Sequence, residues 1–92
     1  MDYQVLVHRK AKEYFDCLPP EVQKRIKKGL QELAKDPYTP RPNADIKKLS
    51  GIKGRKHAYR IRIGDYRIVY DITDKTVYVT IIFHREKDYV EL

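Results

Sequence analysis

The sequence predicts an α+β fold: an N-terminal strand, an antiparallel helical hairpin, then an antiparallel three-strand meander, giving a mostly antiparallel sheet with helices on one face. Three observations carry this reading. Two successive stretches after Val7 place apolar residues at helical spacing. The segment "YRIRIGDYRIVYDI", Tyr59 to Ile72, alternates apolar and polar residues on both sides of Gly64-Asp65, a short hairpin signal. A further alternating stretch after Thr73-Asp74-Lys75-Thr76 fits the same register. Residues 1–92 are read as a single domain.

Tyr3 to Val7, "YQVLV", is apolar almost throughout and reads as a central or well-covered strand. The first helix follows, with Ala11, Tyr14, Phe15 and Leu18 on one face. Pro19-Pro20 breaks it, and Pro20 suits the first turn of a second helix, where a missing N–H costs nothing. That helix turns Val22, Ile26, Leu30 and Leu33 inward and Lys24, Arg25, Lys27, Lys28 and Lys35 to solvent. Asp36-Pro37 ends it, because the residue before proline avoids the α region. About twenty residues without clear period follow, a length that compact domains usually reserve for function. Within them "DIKKLSG" is a candidate short strand.

A two-residue turn at Gly64-Asp65 pairs Ile63 with Tyr66, Arg62 with Arg67, Ile61 with Ile68, Arg60 with Val69 and Tyr59 with Tyr70. A tight turn at Asp74-Lys75 then pairs Ile72 with Val77, Tyr70 with Val79, Ile68 with Ile81 and Tyr66 with Phe83. This register puts Arg60, Arg62, Arg67, Asp71, Tyr78, Thr80 and Ile82 on the opposite face, open to solvent if the helices cover the apolar one.

The net charge is +7, and it is unevenly placed. Arg41, Lys47, Lys48, Lys53, Arg55, Lys56, Arg60, Arg62 and Arg67 face only Asp45 and Asp65 between positions 41 and 67, so this segment alone carries an excess of seven. Such a block suits a polyanion, most often nucleic acid, or an acidic protein; a basic solubility surface is the plainer alternative. One cysteine, Cys17, excludes an internal disulfide and a cysteine-based zinc site. No apolar run is long enough to span a membrane and no signal-peptide core is present, so a cytoplasmic protein is expected. No phosphate-binding loop, dinucleotide fingerprint, metal spacing or nucleophile triad appears, and no cofactor or metal is expected.

Like charges facing across strands cost a few tenths to about 1 kcal/mol. Arg62 opposite Arg67, with Arg60 beside them, is therefore a local rule broken without visible compensation, which is expected at functional sites. Guanidinium groups stay protonated and grip phosphate oxygens bidentately. Side chains splaying into water is the alternative. Beyond the last strand, "FHREKDYVEL" adds His84, which can titrate near neutral pH, together with Arg85, Lys87 and Tyr89. Tyr89 offers a hydroxyl and a stacking surface. An ordinary strand-end histidine is the alternative for His84; His8 and His57 show no partner in the sequence.

The run "KKLSGIKGRKHAYRIRIGDYRIVYDI", followed by "HREKDYV", resembles the RelE superfamily of toxin–antitoxin toxins over most of the chain. The resemblance implies a RelE-like fold, an endoribonuclease that enters the ribosomal A site and cuts mRNA there, and a RelB-type antitoxin that wraps over the toxin. It implies catalytic roles for Arg60 and Arg62 on the first hairpin strand, Arg67 on the second, Arg85 after the last strand and Tyr89 near the C-terminus. His84 is added as a candidate proton donor, and Lys47, Lys48, Lys53, Arg55 and Lys56 as contacts to ribosomal RNA. The best-known RelE-type sites carry lysine where this chain has Arg60 and Arg62, and an arginine cannot shed its proton as a crowded lysine can. Two other readings remain open: a ParE-like toxin acting on DNA gyrase, and a non-catalytic basic adaptor.

Overall fold

The computed structural model describes residues 2–49 and 58–85. Strand β1 (Gln4–Val7) alternates exposed and half-buried residues. It pairs in parallel with a single neighbour and forms one edge of the sheet, so it is neither central nor well covered; Leu6 is 36% exposed. Its apolar composition misleads because both faces of an edge strand remain partly wet. His8 caps helix α1 (Arg9–Asp16), its Nδ1 accepting the Lys10 N–H at 3.1 Å. Helix α2 (Pro20–Lys35) begins on Pro20, with the Pro19 carbonyl accepting from the N–H groups of Val22 and Gln23 at 3.0 Å. Asp36 leaves it in an extended conformation ahead of Pro37.

Of the segment that follows, residues 37–44 are tied down rather than structureless. Arg41 reaches back over the end of α2, donating to the carbonyls of Glu32 (2.9 Å), Asp36 (3.1 Å) and Thr39 (2.6 Å) and to Glu32 Oε1 (3.1 Å). It adds a second donor to the Glu32 carbonyl, which already accepts the Asp36 N–H at 3.0 Å, and serves the Asp36 and Thr39 carbonyls just beyond the helix. Arg41 thus leaves the basic surface to which its position in the sequence assigns it. The chain then enters β2 (Asp45–Lys48), β3 (Ala58–Ile63), β4 (Tyr66–Thr73) and β5 (Thr76–His84).

The five strands order as β1-β5-β4-β3-β2, antiparallel except for β1 with β5. One face meets both helices through Ala11, Ile26, Leu33, Ile46, Ile61, Ile68, Tyr70, Val77 and Val79. Tyr70 is fully buried yet satisfied, its hydroxyl donating to the Pro37 carbonyl at 2.8 Å. Gly29 lets α2 approach β3: a Cβ there would overlap the Ile63 side chain.

The β3–β4 register is the one the hairpin pattern predicts, with Gly64 at φ 60° in the turn. The β4–β5 register holds only from the turn at Asp74 (φ 56°) to Tyr70 opposite Val79. Between Val69 and Tyr70 it shifts, and Val69 faces Ile81. Thr80 is the extra residue of this bulge, its Oγ1 donating to the Val69 carbonyl at 3.2 Å. Ile68 therefore pairs with Ile82, not Ile81, and Tyr66 with His84, not Phe83. Ile82, expected on the open face, is 5% exposed in the core, and Phe83 takes its place opposite Arg67.

Candidate functional site

The face without helices carries two rows of side chains across the sheet. Asp45, Arg62, Arg67 and Phe83 stand opposite one another on β2 to β5. Lys47, Arg60, Val69 and Ile81 form the next row. Three arginines thus share one face, on strands whose register is pinned by a tight turn and a buried alternate face. Val69 lies between Arg60 and Ile81 and is 1% exposed although it is no part of the helix-side core. The charges of Arg60 and Arg62 both act on Arg67, so the charged heads lie near one another on this face.

The guanidinium groups are not equivalent. Arg62 Nε lies 2.8 Å from Asp45 Oδ2, and Arg60 Nη1 lies 4.0 Å from Asp45 Oδ1. Arg62 is open to solvent at 54%, whereas Arg60 is at 19%. Arg67 has no ion-pair partner among the described residues, and its Nη1, like that of Arg60, is buried without a hydrogen-bond acceptor. Burial pushes the Arg67 pKa down from its ordinary value, the charges of Arg60, Arg62 and Arg85 push the same way, and Asp45 opposes them. Arginine remains protonated regardless, so the strain is expressed as demand for an anion rather than as loss of a proton.

Arg85 joins from the end of β5. Its backbone N–H donates to the Asp65 carbonyl at 2.7 Å and its Nε lies 3.4 Å from Asp65 Oδ1, which ties the strand end to the β3–β4 turn. His84 does not join. The bulge turns it to the helix side, opposite Tyr66 and edge-on to that ring with centroids 5.0 Å apart. Lys47 lies on the arginine face; Lys48, opposite Tyr59, falls on the other. Tyr89, Lys53, Arg55 and Lys56 lie outside the described residues. Among the described residues no group of three or more His, Cys, Asp and Glu side chains could hold a metal ion. No described helix is long and apolar enough to cross a membrane.

Asp45 is the neighbour of the arginine cluster that the sequence alone does not reveal. Its significance depends on β2 pairing with β3, a contact between segments separated in the sequence. The only available signal was that Asp45 and Asp65 are the two acids in a basic segment, and each is found paired with an arginine of the cluster.

Comparison with known proteins places this face in context. Residues 5–89 match the family model described as the ParE toxin of the type II toxin–antitoxin system parDE. RelE1 of Methanocaldococcus jannaschii is 32% identical over 91 residues, covering 97% of both chains. Toxin RelE3 of the same organism is 35% identical over 72 residues, covering 78% of both. The archaeal RelE–RelB complex of Pyrococcus horikoshii OT3 contains a chain with a TM-score of 0.79 and 30% identity, matched over 96% of this chain and 100% of that one. Fold and relatives define a toxin of a type II toxin–antitoxin module. The chain belongs to the RelE/ParE superfamily and is a RelE-type toxin.

Proposed function

We propose that this toxin is a ribosome-dependent endoribonuclease, cutting mRNA in the A site and held inactive by a RelB-type antitoxin. The observation that carries the reading is Arg60, Arg62 and Arg67 on one open face with Arg85 at its rim. RNA brings its own nucleophile, the 2′-hydroxyl. The protein must align it with the scissile phosphate, stabilise the charge that builds on the phosphate oxygens and assist the leaving 5′-oxygen. Arg67 sits at the centre and has no ion-pair partner among the described residues, so it is assigned to the phosphate. Arg60 and Arg62 hold its other oxygens, and Arg85 serves the leaving-group side. Removing one preorganised donor of this kind typically costs about 10²–10³ in rate.

His84 faces the helices and is given no proton-transfer role. Tyr89 remains the candidate for stacking on a base, and Lys47 continues the phosphate track toward β2. No general base is assigned among the described residues of the face, where the Asp45 carboxylate is held against Arg62; such a base typically contributes about 10²–10⁴. Slow cleavage of free RNA follows, with ribosomal RNA completing the alignment. The RelB-type antitoxin is supported by the partner in the Pyrococcus horikoshii complex and by the basic charge of this chain.

The family model, named for ParE, favours a second reading in which the target is DNA gyrase. A cell-free translation assay run beside a gyrase supercoiling assay separates them. The nuclease reading expects translation to stop with supercoiling untouched; inhibited supercoiling with translation intact overturns it.

A further inference from the structure

Asp45 occupies the position an external anion would take. One carboxylate oxygen lies 2.8 Å from Arg62 Nε, and the other lies 4.0 Å from Arg60 Nη1. The backbone that carries it is firmly placed: Ala44 and Ile46 on either side are 1% and 4% exposed. The pair itself is open to solvent, at 54% for Arg62 and 47% for Asp45. Exposed ion pairs add little to stability, so fold stability is a poor reason to hold a carboxylate against this cluster. Its larger effect is on binding. A carboxylate on Nε occupies the edge of the guanidinium that a phosphate would use for a two-point contact.

We infer that Asp45 is a built-in competitor for substrate phosphate. In the free protein it neutralises Arg62 while Arg67, the next residue in the same row, keeps its charge. An arriving anion must displace the carboxylate to engage both arginines. Anions held only by charge are thereby disfavoured, and those aligned by further contacts are accepted. The nuclease reading supplies the identity of that phosphate as RNA; the competition itself applies to any polyanion.

The test uses the full chain freed of antitoxin and two probes, linear inorganic polyphosphate and a 2′-O-methyl single-stranded RNA that cannot be cleaved. Affinity is measured across a salt series for the native protein, Asp45→Asn, Arg62→Ala and the double variant. Asp45→Asn is expected to tighten polyphosphate about two- to fivefold at ~0.1 M salt. It should also steepen the salt dependence for the RNA by about 0.7 log unit per log unit, the signature of one more phosphate contact. Both gains should vanish when Arg62 is alanine. Unchanged or weaker binding with native melting behaviour overturns the proposal, as does an equal gain without Arg62; Asp45→Ser repeats the test if the asparagine variant melts early. A gain on polyphosphate with no RNA binding by any variant sustains the competition and removes the nuclease reading.

Discussion

Arg62 and Arg67 face each other directly across β3 and β4, on the side of the sheet that carries no helix. Only Arg62 has a counter-ion among the described residues, and it stands on the strand beyond. The sheet therefore holds a like-charge pair that an adjacent acid relieves from one side only. This arrangement costs stability, and on the proposed reading it serves to receive an anion.

Replacing Arg67 with methionine separates those two consequences. The stem packing stays while the charge repulsion and the buried, unpartnered Nη1 are removed. Stability should rise by a few tenths to about 1 kcal/mol. RNA cleavage on the ribosome should fall by about 10²–10³. Urea denaturation beside a cleavage assay reads both.

Arg41 belongs to the fold and not to the anion face. Arg41→Ala removes the side-chain donor to the Asp36 and Thr39 carbonyls and the ion pair to Glu32, while the Glu32 carbonyl keeps the Asp36 N–H; it should cost about 1–3 kcal/mol, with the salt dependence of polyanion binding unchanged. Its hydrogen bond to Glu32 holds that carboxyl below its ordinary value of 4.5, and the Thr39 hydroxyl holds Asp36 below 3.8. A carboxyl with a lower pKa folded than unfolded stabilises the fold above its unfolded value, and loses that effect as pH falls through its folded value. Stability should therefore drop below about pH 4.5, and Arg41→Ala should flatten the Glu32 part of that decline. Melting temperatures from pH 7 down to pH 2.5 measure it.

Gly29 makes the opposite prediction to helix propensity. Alanine in a helix is normally favoured over glycine by about 1 kcal/mol. Here its Cβ would overlap Ile63, so Gly29→Ala should destabilise by about 1–3 kcal/mol. Pairing it with Ile63→Ala should recover much of the loss. An additive double variant in denaturant titrations would contradict the contact.

Tyr70 ties the sheet to the loop after α2. Tyr70→Phe leaves the Pro37 carbonyl without its donor and should cost about 1–3 kcal/mol. Burial also raises the Tyr70 pKa above its ordinary value of 10.0. A group whose pKa is higher folded than unfolded gives full stability below the unfolded value and loses it as pH rises further. Alkaline unfolding should thus begin above about pH 10 and be shallower in Tyr70→Phe.

Much of this was legible because it is local. Gly64 and the alternation around it set the β3–β4 register, and with it the arginine face. The ends of α2 follow from Pro20 and Pro37. The rest depends on contacts distant in sequence. Thr80 looks like any strand residue, so neither the bulge nor the turning of His84 and Ile82 toward the helices leaves a sequence signal. Strand β1 reads as buried because its residues are apolar, although it pairs on one side only. Arg41 reads as one more charge of a basic segment until the loop folds it onto α2, and Asp45 as a stray acid until β2 joins β3. His8 shows its role only through the Lys10 N–H it caps.

The most direct test maps new 5′ ends on a defined mRNA in programmed ribosomes, with native toxin and with Arg67→Ala. Cuts confined to the A-site codon, absent without ribosomes and reduced by about 10²–10³ in the variant, are the expected result. Intact mRNA with native toxin bound to the ribosome, or equal cutting by Arg67→Ala, would contradict the assignment of catalysis to the arginine face.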